Sequence, residues 1–182
     1  VDYEVRTILT TDSIDAARDP VPADLLEPIA AVDGVEVAEG GLQRYAQLID
    51  KEGEPVSTQG APALGVSWSG PSSLTGVELK EGAPPNGADS VVVDKATAEK
   101  AGFGVGDEVT IVFDSGRKTF RIDGLVGLGD TDGFAGASLA MFDPVTAQDV
   151  LGGNGTYDTI DLKIADGADP AAVKAAIEQI LP

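Results

Sequence analysis

Two short aspartate-containing stretches carry residue types that could do chemistry, and the first is Asp114-Ser115-Gly116. It matches the D-S/T-G core of hydrolases in which two aspartates share one proton. The chain has one copy of it, and Arg117 stands where a small residue normally lets a second loop approach. The same residues between two alternating segments predict a hairpin turn. We favour the turn and keep a secreted acid-dyad hydrolase using Asp114 as an alternative.

The second stretch, Asp130-Thr131-Asp132-Gly133, has the spaced carboxylates and the turn glycine of a calcium loop. With Gly133 at the sixth position of such a loop, Leu128 is first and Leu139 is twelfth. Neither leucine can bind a cation. We therefore predict a polar turn and no metal site.

The segment around this turn, from Gly127 to Gly136, is long and rich in glycine, which predicts a flexible loop. Its Phe134 fits no core stripe, and exposed aromatic side chains often anchor interfaces. Phe134, Asp130 and Asp132 are therefore candidate partner contacts. Trp68 is a further candidate, although burial between two subdomains is its favoured interpretation.

The stretch "AGFGVGDEV", Ala101 to Val109, places three glycines at alternate positions. A phosphate-binding loop follows a strand and opens a helix, whereas this stretch follows the helix-like "DKATAEKA" and precedes the strand-like "DEVTIVF". We predict a helix end and a tight turn, with Gly102 or Gly104 at positive φ. No cofactor is expected.

The composition excludes several classes of function. The 182 residues carry 31 acids against 12 bases, a net charge of −19, with no basic stripe, which disfavours nucleic acid as a partner. The absence of cysteine and histidine removes thiol chemistry, serine-histidine triads and the commonest zinc ligands. With 42% hydrophobic residues a packed core is expected. We predict a protein that is not an enzyme.

The two ends of the chain have related patterns. Residues 1–10 and 157–164 alternate like strands, and each is followed by a helix pattern, at 23–32 and at 170–180. The second helix has Asp169 as its N-cap and Pro170 at its first position. The apolar positions of both helices fall at i, i+4 and i+7, namely Leu25, Ile29 and Val32, then Val173, Ile177 and Ile180. We read these as two β-α halves of one layer.

The first helix is followed by a return strand, predicted over 35–50 with a bulge at Gly40-Gly41. The second helix stops where its own return strand is expected to begin. Between the halves lies a segment rich in glycine, proline and short apolar runs, which predicts a β-rich insertion with two short helices capped by Asp94 and Asp143. Its predicted strands are 64–68, 91–93, 107–113, 118–126 and 137–142. The fold class is therefore α+β, a split β-α-β layer formed by 1–50 and 156–182 with an inserted β-rich subdomain at 51–155.

The order of several stretches resembles a known family. These stretches are "EG-x-P", "VVVDKATAEK", "GVGDEV", "FRIDGLV" and "MFDPVTAQ", and their order is similar to that in the extracytoplasmic domain, or MacB-like periplasmic core, of FtsX/MacB-type ABC transporter permeases, particularly those of high-GC Gram-positive bacteria. The resemblance covers nearly the whole chain. It implies a porter-like α+β part with a β-rich insertion.

The same resemblance implies a location and a set of partners. The domain would lie outside the cell membrane between two membrane helices of a permease that pairs with a second permease and a cytoplasmic ATPase. It would couple ATP hydrolysis to the handling of an extracytoplasmic substrate or protein, and no catalytic residues come with it. A stand-alone extracellular ligand-binding domain remains the other alternative.

Overall fold

A computed structural model describes residues 2–6, 19–69 and 75–181. It mixes helices and strands, so the predicted α+β class is confirmed. The chain divides into two compact units, the first formed by Val1–Gly41 with Gly155–Pro182 and the second by Leu42–Asn154. Their independence as folding domains stays a prediction.

The first unit packs two helices on one face of a three-stranded antiparallel sheet of order β1-β13-β3. With elements numbered in chain order across both units, it contains β1 (Tyr3–Val5), β2 (Val21–Pro22), α1 (Leu26–Ala30), β3 (Val35–Gly41), β12 (Thr156–Tyr157), β13 (Thr159–Ile164) and α4 (Pro170–Glu178). A 3-10 turn over Ala23–Leu25 precedes α1, and β2 pairs with β12.

The core of the first unit forms because apolar residues alternate along β13. Ile160, Leu162 and Ile164 share the face that Ile29 of α1 and Ile177 of α4 cover. All five are at most 9% exposed. Five of the six predicted stripe positions therefore pack in one core, whereas Ile180 lies after the end of α4 and is not part of that cluster.

The predicted long strand over 35–50 is wrong in two respects. β3 ends at Gly41, and its irregularity lies opposite Lys163 and Ile164 rather than at Gly40-Gly41. A side chain at Gly40 would overlap the ring of Tyr157, so this glycine allows a close approach. The residues after Gly41 pair in the sheet of the second unit instead.

The second unit is an eight-stranded sheet with two short helices. Its elements are β4 (Gln43–Tyr45), β5 (Gln47–Ile49), β6 (Ala63–Ser67), β7 (Val77–Gly82), β8 (Ser90–Asp94), α2 (Lys95–Lys100), β9 (Glu108–Phe113), β10 (Gly116–Leu128), β11 (Ser138–Phe142) and α3 (Pro144–Val150). The five predicted strands correspond to β6, β8, β9, β10 and β11, whereas β7 was not predicted.

This sheet closes on itself. Its order is β4-β6-β11-β8-β10-β9-β5, and only Ala46 separates the two end strands in sequence. Ala46 is fully buried and donates its N–H to the Ala63 oxygen at 3.2 Å. One bent strand therefore pairs at both edges, and β7 pairs with the second half of the long β10. Closure protects strand edges that would otherwise invite aggregation.

The strands of the second unit bury side chains on both faces. On one face Phe113, Phe120 and Phe142 pack with ring centroids 5.0 to 6.0 Å apart. On the other face a second cluster forms around Trp68, described below with the surface it supports. The predicted caps are also present, since Asp94, Asp143 and Asp169 each accept an N–H from the first turn of a helix.

Candidate functional site

Asp114 lies in an exposed two-residue turn between β9 and β10, where Phe113 pairs with Gly116. The hairpin prediction is confirmed. In the part of the chain that the structure describes, no group of three or more acidic side chains converges to hold a metal ion.

The glycine-rich stretch after α2 ends a helix. Gly102 has a φ of +70° and donates to the Glu99 oxygen at 3.1 Å, while the Phe103 N–H reaches the Ala98 oxygen at 2.8 Å. This pair of bonds caps the carboxyl end of the helix. The predicted positive φ is therefore confirmed at Gly102, and the N–H groups at this position are engaged in the cap.

The predicted contact residues Asp130 and Asp132 lie in a turn that we call the Asp130 turn, residues 129–137. The turn begins where Lys80 of β7 donates to the Gly129 oxygen. The Thr131 hydroxyl lies 2.8 Å from the Leu128 oxygen and 3.0 Å from the Gly133 oxygen, and the two carbonyls share its single hydrogen. The sequence predicts a flexible loop, whereas the structure anchors this one to its neighbours.

Helix α2 holds the middle of the Asp130 turn. The Ala96 N–H donates to the backbone oxygen of Asp132 at 2.8 Å. Lys95 lies 3.3 Å from the Glu81 carboxylate and 3.8 Å from that of Asp132. Hydrogen bonding to Glu81, with the nearby charge of Asp132, raises the pKa of Lys95. The ammonium group thus links α2, β7 and the turn.

Asp94 fixes the position of α2. It is 1% exposed, and one carboxylate oxygen accepts the Thr97 N–H while the other accepts the Leu139 N–H, both at 2.8 Å. The first bond caps α2 and the second ties it to β11. Burial raises the pKa of this carboxyl despite both bonds. A single side chain therefore positions the helix that holds the Asp130 turn.

Trp68 and Phe134 belong to one apolar cluster, which we call the Trp68 cluster. Its buried members are Trp68, Val77, Val92, Val126, Leu139 and Met141, with Phe134 half-buried against them. Trp68 is 8% exposed, so its predicted burial is confirmed, but it packs in the core of the second unit rather than between two subdomains as predicted. The structure thus brings two predicted contact aromatics together, while Asp130 and Asp132 stay exposed beside them.

Lys80 and Lys95, which hold the Asp130 turn, are absent from the sequence-based candidates. A signal existed for Lys95, because a cation in the first turn of a helix is disfavoured by the helix dipole. Its presence directly after the Asp94 cap indicates that acidic partners outweigh that cost. No local pattern marks Lys80, since its bond reaches 49 residues along the chain.

A groove of about 190 Å³ lies in the first unit, between β1 and α4. Its lining is mainly apolar and includes Tyr3, Val5, Ile177 and Leu181. In the residues that the structure describes, no helix is both long and apolar enough to cross a membrane.

With this architecture in place, comparison with known families decides the family. Residues 4–180 match the MacB-like periplasmic core domain. The chain belongs to this family. The predicted resemblance is therefore confirmed, while the predicted Gram-positive origin stays a prediction. A comparison with curated protein sequences gave no match.

Two solved structures with the same fold are similar to this MacB-like domain. The periplasmic region of MacB from Actinobacillus actinomycetemcomitans has a TM-score of 0.71 and 14% identity, over 97% of this chain and 80% of that chain. The extracellular domain of the noncanonic ABC-type transporter YknZ from Gram-positive bacteria has a TM-score of 0.65 and 12% identity, over 95% and 87%. At sequence identities this low, the structural similarity shows a common fold.

Proposed function

We propose that this MacB-like domain is the extracytoplasmic module of an ABC transporter permease held in the cell membrane by other segments of a longer chain. There it passes movement driven by a cognate cytoplasmic ATPase, in concert with a second permease, to a substrate or protein outside the membrane. The observation that carries the proposal is the family match over residues 4–180. The family is a transporter's periplasmic domain rather than an enzyme family.

The Asp130 turn is the surface through which the second unit would contact an extracytoplasmic partner. A contact surface needs groups that are exposed yet held in place, because ordering a mobile loop costs free energy on binding. Lys80, Ala96 and Lys95 hold this turn, while Asp130 remains exposed. Half-buried Phe134 provides an aromatic group next to these acids.

Charge reversal at the tip of the turn tests this surface. In the full-length permease with its ATPase, Asp130→Lys should reduce transport or partner binding by roughly tenfold or more, because a like-charge contact at an interface costs several kcal/mol and about 1.4 kcal/mol is already tenfold. Asp114→Lys is the matched control, since Asp114 is also an exposed turn aspartate of the second unit. It should leave function unchanged.

The outcomes of this experiment distinguish the contact-surface proposal from the hydrolase alternative. Equal activity of the Asp130→Lys variant and wild type would remove the Asp130 turn from the contact surface. Loss of a peptide-cleaving activity in the Asp114→Lys variant would instead support the hydrolase alternative. For a stand-alone ligand-binding domain, the groove of about 190 Å³ is small beside ligand pockets of roughly 300–1,000 Å³.

A further inference from the structure

One side of the second unit's sheet is apolar across six strands. Directly paired residues of neighbouring strands have side chains on the same side of a sheet, so the register identifies a row of neighbours. From β4 to β7 this row consists of Tyr45, Leu64, Leu139, Asp94, Val126 and Leu79. Its four aliphatic members pack in or against the Trp68 cluster. We call the side of the sheet that carries this row and the cluster the Trp68 face.

The Trp68 face is buried at its centre and exposed at both ends. Val92 and Val126, near the centre, are fully buried. Tyr45 at one end is 44% exposed, and so is Leu128 at the other end, where it pairs with Val77. In the part of the chain that the structure describes, no helix residue belongs to the Trp68 cluster. An apolar face that stays partly open beside charged residues is typical of a protein contact surface.

Phe134 is held at this face by a tight turn. Ala135 and Gly136 have φ of +53° and +91°, and a backbone hydrogen bond of 3.0 Å to the Phe134 oxygen closes the turn. Positive φ at both central residues is the geometry of a two-residue hairpin turn. A side chain at Gly133 would come within 2.9 Å of the Ala96 Cβ, so the segment before Phe134 also packs closely on α2. The backbone that carries this aromatic ring is therefore ordered before any partner binds.

The end of the Trp68 face at Leu128 has an acidic rim. Thr131 of the Asp130 turn forms a bridge with Leu128, which places the turn beside the exposed leucine. Lys80 and Lys95 both have carboxylates within 3.9 Å of their ammonium groups. Those carboxylates and the exposed one at the tip of the turn belong to Glu78, Glu81, Glu99, Asp132 and Asp130. Five acids against two lysines leave an excess of negative charge around an apolar centre.

This charge discriminates between possible occupants of the Trp68 face. Nucleic acid and anionic lipid carry the same sign of charge as the rim and are repelled by it. A second copy of this chain, bound through a symmetric interface, would set the acidic rim against an identical one. A cationic protein surface is the occupant whose charge is complementary to the rim.

We propose that the Trp68 face binds a basic segment of a second protein outside the membrane, in which lysine or arginine side chains flank an exposed apolar side chain. The apolar side chain packs on Leu128 and Phe134, and the flanking cations pair with Asp130 and the other acids of the rim. The inference rests on the proposed function in using the Asp130 turn as a contact surface, and it adds the chemistry of the partner.

Binding of designed peptides to the full-length permease tests this chemistry. The permease is placed in nanodiscs of zwitterionic lipid, with empty nanodiscs as background, and fluorescence anisotropy of a labelled peptide reports binding. One peptide alternates lysine with leucine, a second has serine in place of leucine, and a third has glutamate in place of lysine. The lysine-leucine peptide should bind roughly tenfold more tightly than the other two, because it alone matches both the acids and the apolar side chains.

Neutralising the acidic rim tests the role of charge. The rim variant carries three amides: Glu78→Gln, Asp130→Asn and Asp132→Asn. It should weaken binding of the lysine-leucine peptide by roughly tenfold, because it removes three exposed ion pairs. The matched control replaces three exposed acids beside β5 and β9, strands with no residue in the Trp68 cluster, by their amides: Glu52, Glu54 and Asp114. It should change the affinity by no more than about twofold.

Leu128→Ser tests the apolar contact. It should weaken binding of the lysine-leucine peptide by roughly fivefold, because a partner would bury the exposed part of this leucine, and it should not affect the lysine-serine peptide. Val145→Ser is the matched control, because Val145 is 80% exposed on α3 and lies outside the Trp68 cluster. It should leave the binding of both peptides unchanged. Size-exclusion chromatography checks that each variant is folded.

Equal binding of the lysine and glutamate peptides, or equal affinity of the rim variant and its control, would overturn the proposal. Equal binding of the leucine and serine peptides to wild type would also overturn it, because only a cation would then be recognised. Binding of anionic vesicles, or self-association that Leu128→Ser abolishes, would assign the face to another occupant. These outcomes are independent of the permease assignment, because a permease that transports could fail to bind the peptide, and a chain inside the cell could still bind it.

Discussion

The two units of this MacB-like domain treat strand edges in opposite ways. The second unit closes its sheet through the bent strand around Ala46 and buries apolar side chains on both faces. The first unit has an open sheet with helices on one face and one cluster of seven buried residues. The difference predicts that the first unit opens locally more readily than the second, in which the sheet closes on itself.

The largest effects should come from the cores, and they should differ in which unit responds. Phe142→Ala should lower the free energy of unfolding of the second unit by about 3–5 kcal/mol, because it removes a fully buried ring that packs on Phe113 and Phe120. Ile160→Ala should lower the free energy of unfolding of the first unit by about 2–5 kcal/mol, because Ile160 is fully buried. Trp68, the sole tryptophan, reports on the second unit by fluorescence, and circular dichroism reports on both.

If the units unfold independently, Phe142→Ala shifts the Trp68 transition and Ile160→Ala does not. A shift of that transition by both variants would show that the two cores unfold together. Val145→Ala is the control, because a side chain that is 80% exposed should change stability by no more than about 0.5 kcal/mol.

Helix caps should also differ between the units. Asp94→Ala should cost about 2–4 kcal/mol, because it removes a cap and leaves the buried Leu139 N–H without its acceptor. Asp169→Ala removes only the cap of α4 and should cost about 1 kcal/mol. Chemical denaturation of both variants measures the two losses in the free energy of unfolding. Equal losses would argue against a special role for Asp94.

A smaller effect should separate two glycines of the second unit. Gly102→Ala should cost about 1 kcal/mol, because φ is +70° there and a Cβ disfavours that conformation. Gly104→Ala is the matched control, since Gly104 does not have positive φ and a Cβ would meet nothing within 4 Å. Thermal unfolding of both variants tests the difference, and similar costs would rule out the helix-end account.

The smallest expected effect is a change of stability with pH, which we compare for one buried or half-buried aspartate of each unit. Burial raises the pKa of Asp94 and, together with Glu4, that of Asp161, from an ordinary 3.8. A raised pKa in the folded state stabilises the fold below pH 3.8, and this contribution is lost as pH rises through the folded pKa. Relative to Asp94→Asn and Asp161→Asn, wild type should therefore lose stability over that range. A gain there would contradict the directions of both shifts.

Local features of this fold could be predicted from the sequence, and its closure could not. The caps at Asp94, Asp143 and Asp169 depend on neighbouring residues and were predicted. Strand β7 was missed because it carries alternating charges and has Val77 as its one buried residue, while its partner is the distant β10. The break between β4 and β5 at Ala46 exists because β4 pairs with β6 and β5 pairs with β9. Local sequence patterns do not encode such long-range pairing.

The same distinction applies to the candidate site. The sequence selected Trp68 and Phe134 separately, each as an aromatic side chain that could anchor an interface. Their meeting in one cluster depends on the order of β6 and β11 in the sheet. The contacts of Lys80 and Lys95 with the Asp130 turn are equally long-range. Residue type indicates which side chains need a hydrogen-bond, ionic or apolar partner. The sheet topology determines which residues become those partners.

The central claim, an extracytoplasmic domain in a membrane permease, is tested most directly by its sidedness. Val145→Cys adds one highly exposed thiol, on α3, to a domain that has no cysteine. In intact cells that express the otherwise cysteine-free full-length protein, a membrane-impermeant maleimide should label this position as completely as it does after lysis. Labelling that appears only after lysis would place the domain inside the cell and contradict the account.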